Sequence, residues 1–126
     1  DWARSRGLGD VYKRQILVDV YPDGHTQYLT QGQLRARYRN GMESPQLLNA
    51  GEIVELDIVI QSTSNVFQKG HRLRIEITSS DYSRHARNQN VEDEEGVTAN
   101  TAVARNKIHH TDVHQSYIML PIIPTQ

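Results

Sequence analysis

Apolar and polar residues alternate with period two along most of this chain, and that alternation predicts strands rather than helices. Ile16–Tyr21 is a short apolar run closed by Pro22-Asp23-Gly24, a turn tripeptide: proline presets φ, aspartate bonds back to the chain, and glycine admits positive φ. Gln33–Arg39 alternates strictly, with Leu34, Ala36 and Tyr38 on one face and Arg35, Arg37 and Arg39 on the other. Val54, Leu56, Ile58 and Ile60 share a face opposite Glu55 and Asp57. The cleanest strand is His71–Thr78, which places Leu73, Ile75 and Ile77 inward and Arg72, Arg74, Glu76 and Thr78 outward. Thr101–His109 and Ser116–Ile123 are weaker strands, and Pro121 puts the last one at an edge or ends it. No stretch of helical length carries the 3.6 period; Met42–Leu48 allows one short turn.

These elements predict an all-β fold, an antiparallel jelly-roll (galactose-binding-like) β-sandwich with a long polar loop from Ser79 to Asn100. About six strands are expected, whereas a complete jelly roll has about eight. Removing strands from a sandwich exposes an apolar face and an unpaired edge, so the pattern reads as a domain without its first strands. Residues 1–15, DWARSRGLGDVYKRQ, fit neither period. Their end, LGDVYKRQ, resembles a string that arises where sequencing-adapter DNA is read as protein. The expected organisation is therefore a non-native or disordered leader over 1–15 and a partial β-sandwich domain over 16–126.

Composition sharpens this picture. The chain has 126 residues, enough for one domain. Fourteen basic and fifteen acidic residues give a net charge of -1, so no global basic field attracts nucleic acid. Aromatics make up 6% and do not interleave with the arginines, which also argues against a nucleic-acid partner. With no cysteine, disulfides, thiolate metal sites and a cysteine nucleophile are excluded. No apolar run has the length of a membrane span, and no signal-peptide pattern opens the sequence; the compartment and the oligomeric state stay open. Hydrophobic content of 37% is low for a self-contained core.

Four sets of residues offer chemistry, each with a plainer reading. Ser79, Ser80, Asp81 and His85 are the residue types of a hydrolase triad, but no G-x-S-x-G elbow is present, and four neighbours on one loop seldom give triad geometry. In the plainer reading the serines end a strand, Asp81 makes a turn, and Arg84 and Arg87 pair with carboxylates. His110, Asp112 and His114 would share one face of a continued strand and could bind zinc or iron; a solvated His-rich connection is the plainer reading. The acidic run Glu92-Asp93-Glu94-Glu95 lacks the alternating spacing of a calcium loop. Arg35, Arg37 and Arg39 could pair across strands with Glu55 and Asp57, or form a docking face for another domain. Tyr28, Tyr82 and Tyr117 are too scattered to make a visible sugar-stacking platform.

Five ordered blocks then carry a resemblance. They are LVDVYPDG at Leu17–Gly24, the G-x-L-R-A-R-Y-R strand at Gly32–Arg39, F-x-K-G-H-R-L-R at Phe67–Arg74, SSDYSRHARNQN at Ser79–Asn90, and SYIMLPIIP at Ser116–Pro124. Together they resemble the C-terminal domain of the Xaa-Pro dipeptidyl-peptidase and cocaine-esterase-like family of serine hydrolases. The departures are local: Ser83 and Gln89 stand where the family has proline, and an acidic stretch replaces Thr-Gly from Val91. The resemblance implies a non-catalytic domain beside an α/β-hydrolase domain that carries a Ser-Asp-His triad upstream of this sequence. It implies no catalytic residue and no cofactor here. Asp19, Asp23, Gly24, Arg35, Arg37, Gly70, His71, Arg72, Ser80, Asp81, Arg84, Arg87 and Asn88 become structural or interdomain residues. The alternative is a free-standing β-sandwich binding module for carbohydrate.

Overall fold

A computed structural model describes residues 2–6, 10–91 and 99–124. Its strands are β1 (Trp2–Arg6), β2 (Tyr12–Val20), β3 (Thr26–Arg35), β4 (Ile53–Glu55), β5 (Arg72–Thr78) and β6 (Arg105–His109). They form two three-stranded antiparallel sheets, β3-β2-β5 and β4-β1-β6. The fold is an all-β antiparallel sandwich, as the alternation predicts.

The β2–β3 hairpin turns where Pro22-Asp23-Gly24 directs it. Gly24 has φ +89°, and the Asp23 carboxylate accepts the His25 N–H at 2.9 Å. A bulge at Leu17/Val18 breaks the pairing once, so that Thr30 faces Leu17 and Tyr28 faces Val18. β2 is the central strand of its sheet and is almost wholly buried. The core gathers Val11, Ala36, Leu48, Val54 and Leu56, with Leu34, Ile58, Ala104 and Ile108 packed against it. Residues before β2, in β3 and β4, and in β6 thus bury apolar surface against one another.

Several expectations need correcting. The strand over Gln33–Arg39 ends at Arg35, and a single 3₁₀ turn, Ala36–Tyr38, follows it. The short turn expected in Met42–Leu48 falls at Met42 and Glu43. The Val54–Ile60 strand shrinks to Ile53–Glu55, and Asp57–Ile60 join no sheet among the described residues. Ser116–Ile123 joins no sheet. The expected boundary at Gln15/Ile16 falls inside β2, and Asp10 to Lys13 and Gln15 are buried. β1 also lies within the leader and pairs on both sides, with β4 and β6. Gly32 has a packing role: a Cβ there would lie 2.1 Å from the Val59 carbonyl oxygen, so only glycine lets the 57–60 segment cross β3.

Candidate functional site

The polar loop after β5 is built from the β-sheet outward. Asp81 follows the strand end, and its nearly buried carboxylate takes Arg14 of β2 at 2.8 Å and His85 Nδ1 at 2.8 Å. His85 Nε2 meets the Gln33 side-chain nitrogen at 2.7 Å, while the Gln33 oxygen accepts the Tyr12 hydroxyl at 2.8 Å. The amide orientation fixes the imidazole: Nδ1 carries the proton and donates to Asp81, and Nε2 accepts from Gln33. Burial, and then the Asp81 carboxylate, push the Tyr12 phenol above its ordinary pKa, with Arg14 opposing.

This is an Asp-His pair without a serine. Ser79 Oγ accepts a 2.6 Å bond from Lys13 Nζ, and Ser80 is tied through its backbone to Thr78. The imidazole nitrogen that would serve as a general base is occupied by an amide. Ser79, Asp81 and His85 are instead engaged in tying the loop to β2 and β3. Lys13 is 3% exposed, and burial lowers its pKa to about 8.

A second polar knot lies just ahead of β2, at the same end of the strand. Asp10 is 1% exposed and binds Arg35 Nε at 2.7 Å, Arg37 Nε at 2.9 Å and the Arg37 backbone N–H at 2.9 Å. Asn88 of the polar loop donates to the Asp10 carbonyl at 3.2 Å. Arg35 and Arg37 therefore turn inward, and neither pairs with Glu55 or Asp57 as the row pattern predicted. Arg39 lies 3.8 Å from Glu52.

At the hairpin end, buried Asp19 receives His71 Nδ1 at 3.0 Å, and the His71 ring rests against Tyr21 with centroids 4.3 Å apart. Gly70, with φ +90°, turns the chain into that position beside Pro22. Arg72, Arg84 and Arg87 are exposed. Among the described residues neither Arg84 nor Arg87 pairs with a carboxylate; Arg87 sits over the Tyr82 ring at 6.0 Å.

No three His, Asp or Glu side chains converge as metal ligands among the described residues. His110 and Asp112 are exposed, and the His114 ring meets His109 edge-on at 5.7 Å instead of joining them. The acidic run 92–95 lies outside the described residues. Tyr28, Tyr82 and Tyr117 are exposed on three separate elements. No helix among the described residues is long and apolar enough to cross a membrane.

The frame-like geometry agrees with what the chain matches. The X-Pro dipeptidyl-peptidase C-terminal non-catalytic domain family matches residues 15–119. The chain belongs to that family. Over 112 residues, 85% of the chain, it is 43% identical to a cocaine esterase of Rhodococcus sp.. Over 124 residues it is 33% identical to a protein of Mycobacterium bovis named "Putative serine esterase", and equally to one of Mycobacterium tuberculosis. The chain spans only 19% and 18% of those relatives' lengths. As a member of a non-catalytic C-terminal domain family, it is the β-sandwich part of a larger polypeptide. Of the residues expected to be structural, the structure joins Asp81 to the β2–β3 hairpin, Arg35, Arg37 and Asn88 to Asp10, and Asp19 to His71. Sequence reasoning missed Asp10, Lys13 and Gln33. Strand alternation gives no sign of them, because their roles come from partners far away in the chain.

Proposed function

We propose that the full-length protein is an acyl hydrolase of the dipeptidyl-peptidase and cocaine-esterase type, cleaving a peptide, ester or amide bond with a Ser-Asp-His triad outside this sequence. The domain's task is to frame the α/β-hydrolase domain of the same polypeptide. The observation that carries this reading is the occupied Asp81–His85 pair: a catalytic-looking dyad whose free nitrogen is spent on Gln33. The relatives' names favour ester chemistry for the parent protein. We also propose that residues 1–15 are non-native in origin and sit where strands of the parent domain belong.

The test is to express the full-length protein and assay a p-nitrophenyl ester beside an Xaa-Pro-p-nitroanilide, with and without a serine-directed sulfonyl fluoride. Inhibitor-sensitive turnover of either substrate supports the reading, and the faster substrate assigns the bond. Absence of both counts against it. The binding-module reading predicts a rise in Tm with soluble glycans. It is disfavoured because the three exposed tyrosines stand on separate elements.

A further inference from the structure

A cleft of about 700 Å³ opens beside β4, and Glu55 to Ile60 and Tyr117 to Met119 are among the residues that line it. Neither Asp57–Ile60 nor Tyr117–Met119 belongs to a strand. Among the described residues, Asp57, Ile58, Val59 and Ile60 make no sheet hydrogen bonds. The apolar groups facing this space are left open: Val59 is 80% and Met119 81% exposed. A segment whose backbone makes no hydrogen bonds and whose apolar side chains are partly uncovered can serve as one side of a ladder.

β1 indicates what the other side is. It runs antiparallel between β4 and β6, with Trp2 opposite Glu55 and His109, Ala3 opposite Val54, and Arg4 opposite Ile53. Continued past Trp2 towards the N-terminus, that register leads along Leu56 to Ile60, into the cleft. A strand of five residues spans roughly 17 Å and would bond to this wall. Residues directly opposite each other in an antiparallel pair share a face. The incoming strand therefore needs apolar residues opposite Ile58 and Ile60, and a basic residue suits the position opposite Asp57.

We infer that this cleft seats an extended strand of the same polypeptide, from the part of the full-length protein outside this sequence, antiparallel to Asp57–Ile60. The inference rests on the reading of the chain as one domain of a longer hydrolase. The first test uses the chain with four residues, Val-Thr-Val-Lys, added ahead of Asp1, so that in the β1 register the lysine faces Asp57. A Gly-Ser-Gly-Ser extension is the control. Hydrogen exchange at residues 57–60 should slow on the order of tenfold or more at alternate amides with the first extension only. Equal exchange in the two overturns the strand seat. Slowing that depends on protein concentration also overturns it, because a second copy then fills the cleft. The second test measures the same amides in the full-length protein. Protection there supports the inference. Free exchange in a full-length protein that hydrolyses esters overturns the inference and leaves the hydrolase reading standing. Protection without any hydrolase activity does the reverse.

Discussion

β2 and β5 are neighbours in one sheet, paired from Arg14 opposite Thr78 to Val20 opposite Arg72, yet they live in different surroundings. β2 is buried on both faces, with Leu17, Val18 and Val20 nearly inaccessible. β5 has the better amphipathic pattern, but Leu73 is 42% exposed, and Ile75 and Ile77 are only half-buried. The same contrast separates the core residues Val54 and Leu56 from the tail, where Ile122 and Ile123 are almost fully exposed. Alternation tells which face of a strand is apolar. It does not tell whether anything lies on that face. Here the apolar faces of β5 and of the tail are left largely uncovered among the described residues.

The largest expected effect tests the filled side. Asp10→Ala leaves the Arg35 and Arg37 guanidiniums around a buried hole and should destabilise the chain by about 3–5 kcal/mol in urea unfolding. Leu17→Ala on β2 should cost about 2–5 kcal/mol, against under about 1 kcal/mol for Leu73→Ala on β5. Equal costs would break the comparison. In the full-length protein the Leu73→Ala cost should rise towards that of Leu17→Ala if β5 is covered there. Gly32→Ala comes next, at about 1–3 kcal/mol, because the new methyl must displace the Val59 carbonyl.

A smaller effect has a sign set by pH. Lys13 titrates near 8 in the folded chain and near 10.5 unfolded, so between those values the unfolded state holds the extra proton. Its contribution therefore makes folding more favourable as pH rises from about 8 to 10.5, and its cost is fully present below 8. Lys13→Met should raise Tm at pH 7, and the gain should shrink steadily above pH 8. A gain that is constant with pH would show that Lys13 is not buried as a charge. The smallest change is Arg74→Ala: the Arg74–Glu76 pair is exposed, so the expected shift lies within about 0.5 kcal/mol.

Much of the fold was legible in the sequence. The apolar run Ile16–Tyr21 marked part of β2, alternation over His71–Thr78 marked β5, the weaker Thr101–His109 candidate contained β6, and Pro22-Asp23-Gly24 located the hairpin turn. Alternation failed where a distant partner overrides it. Arg35 and Arg37 read as an exposed row, but Asp10 draws both inward, and the strand ends in a 3₁₀ turn. It failed again at Asp57–Ile60 and Ser116–Ile123, which have a strand's pattern but join no sheet among the described residues. It could not find β1, whose residues carry no period and whose pairing depends on the open space between β4 and β6. The polar loop was readable as frame because no nucleophile elbow accompanies it. Gln33 and Tyr12, the groups that occupy His85 and complete its network, gave no sequence signal.

The most direct test of the frame reading is ester hydrolysis by the 126-residue chain, measured beside the full-length protein on the same p-nitrophenyl ester. The account predicts serine-inhibitor-sensitive turnover by the full-length protein and only the uncatalysed rate from the chain alone. Turnover by the chain alone that disappears in Asp81→Ala and His85→Ala would contradict it and make the polar loop an active site.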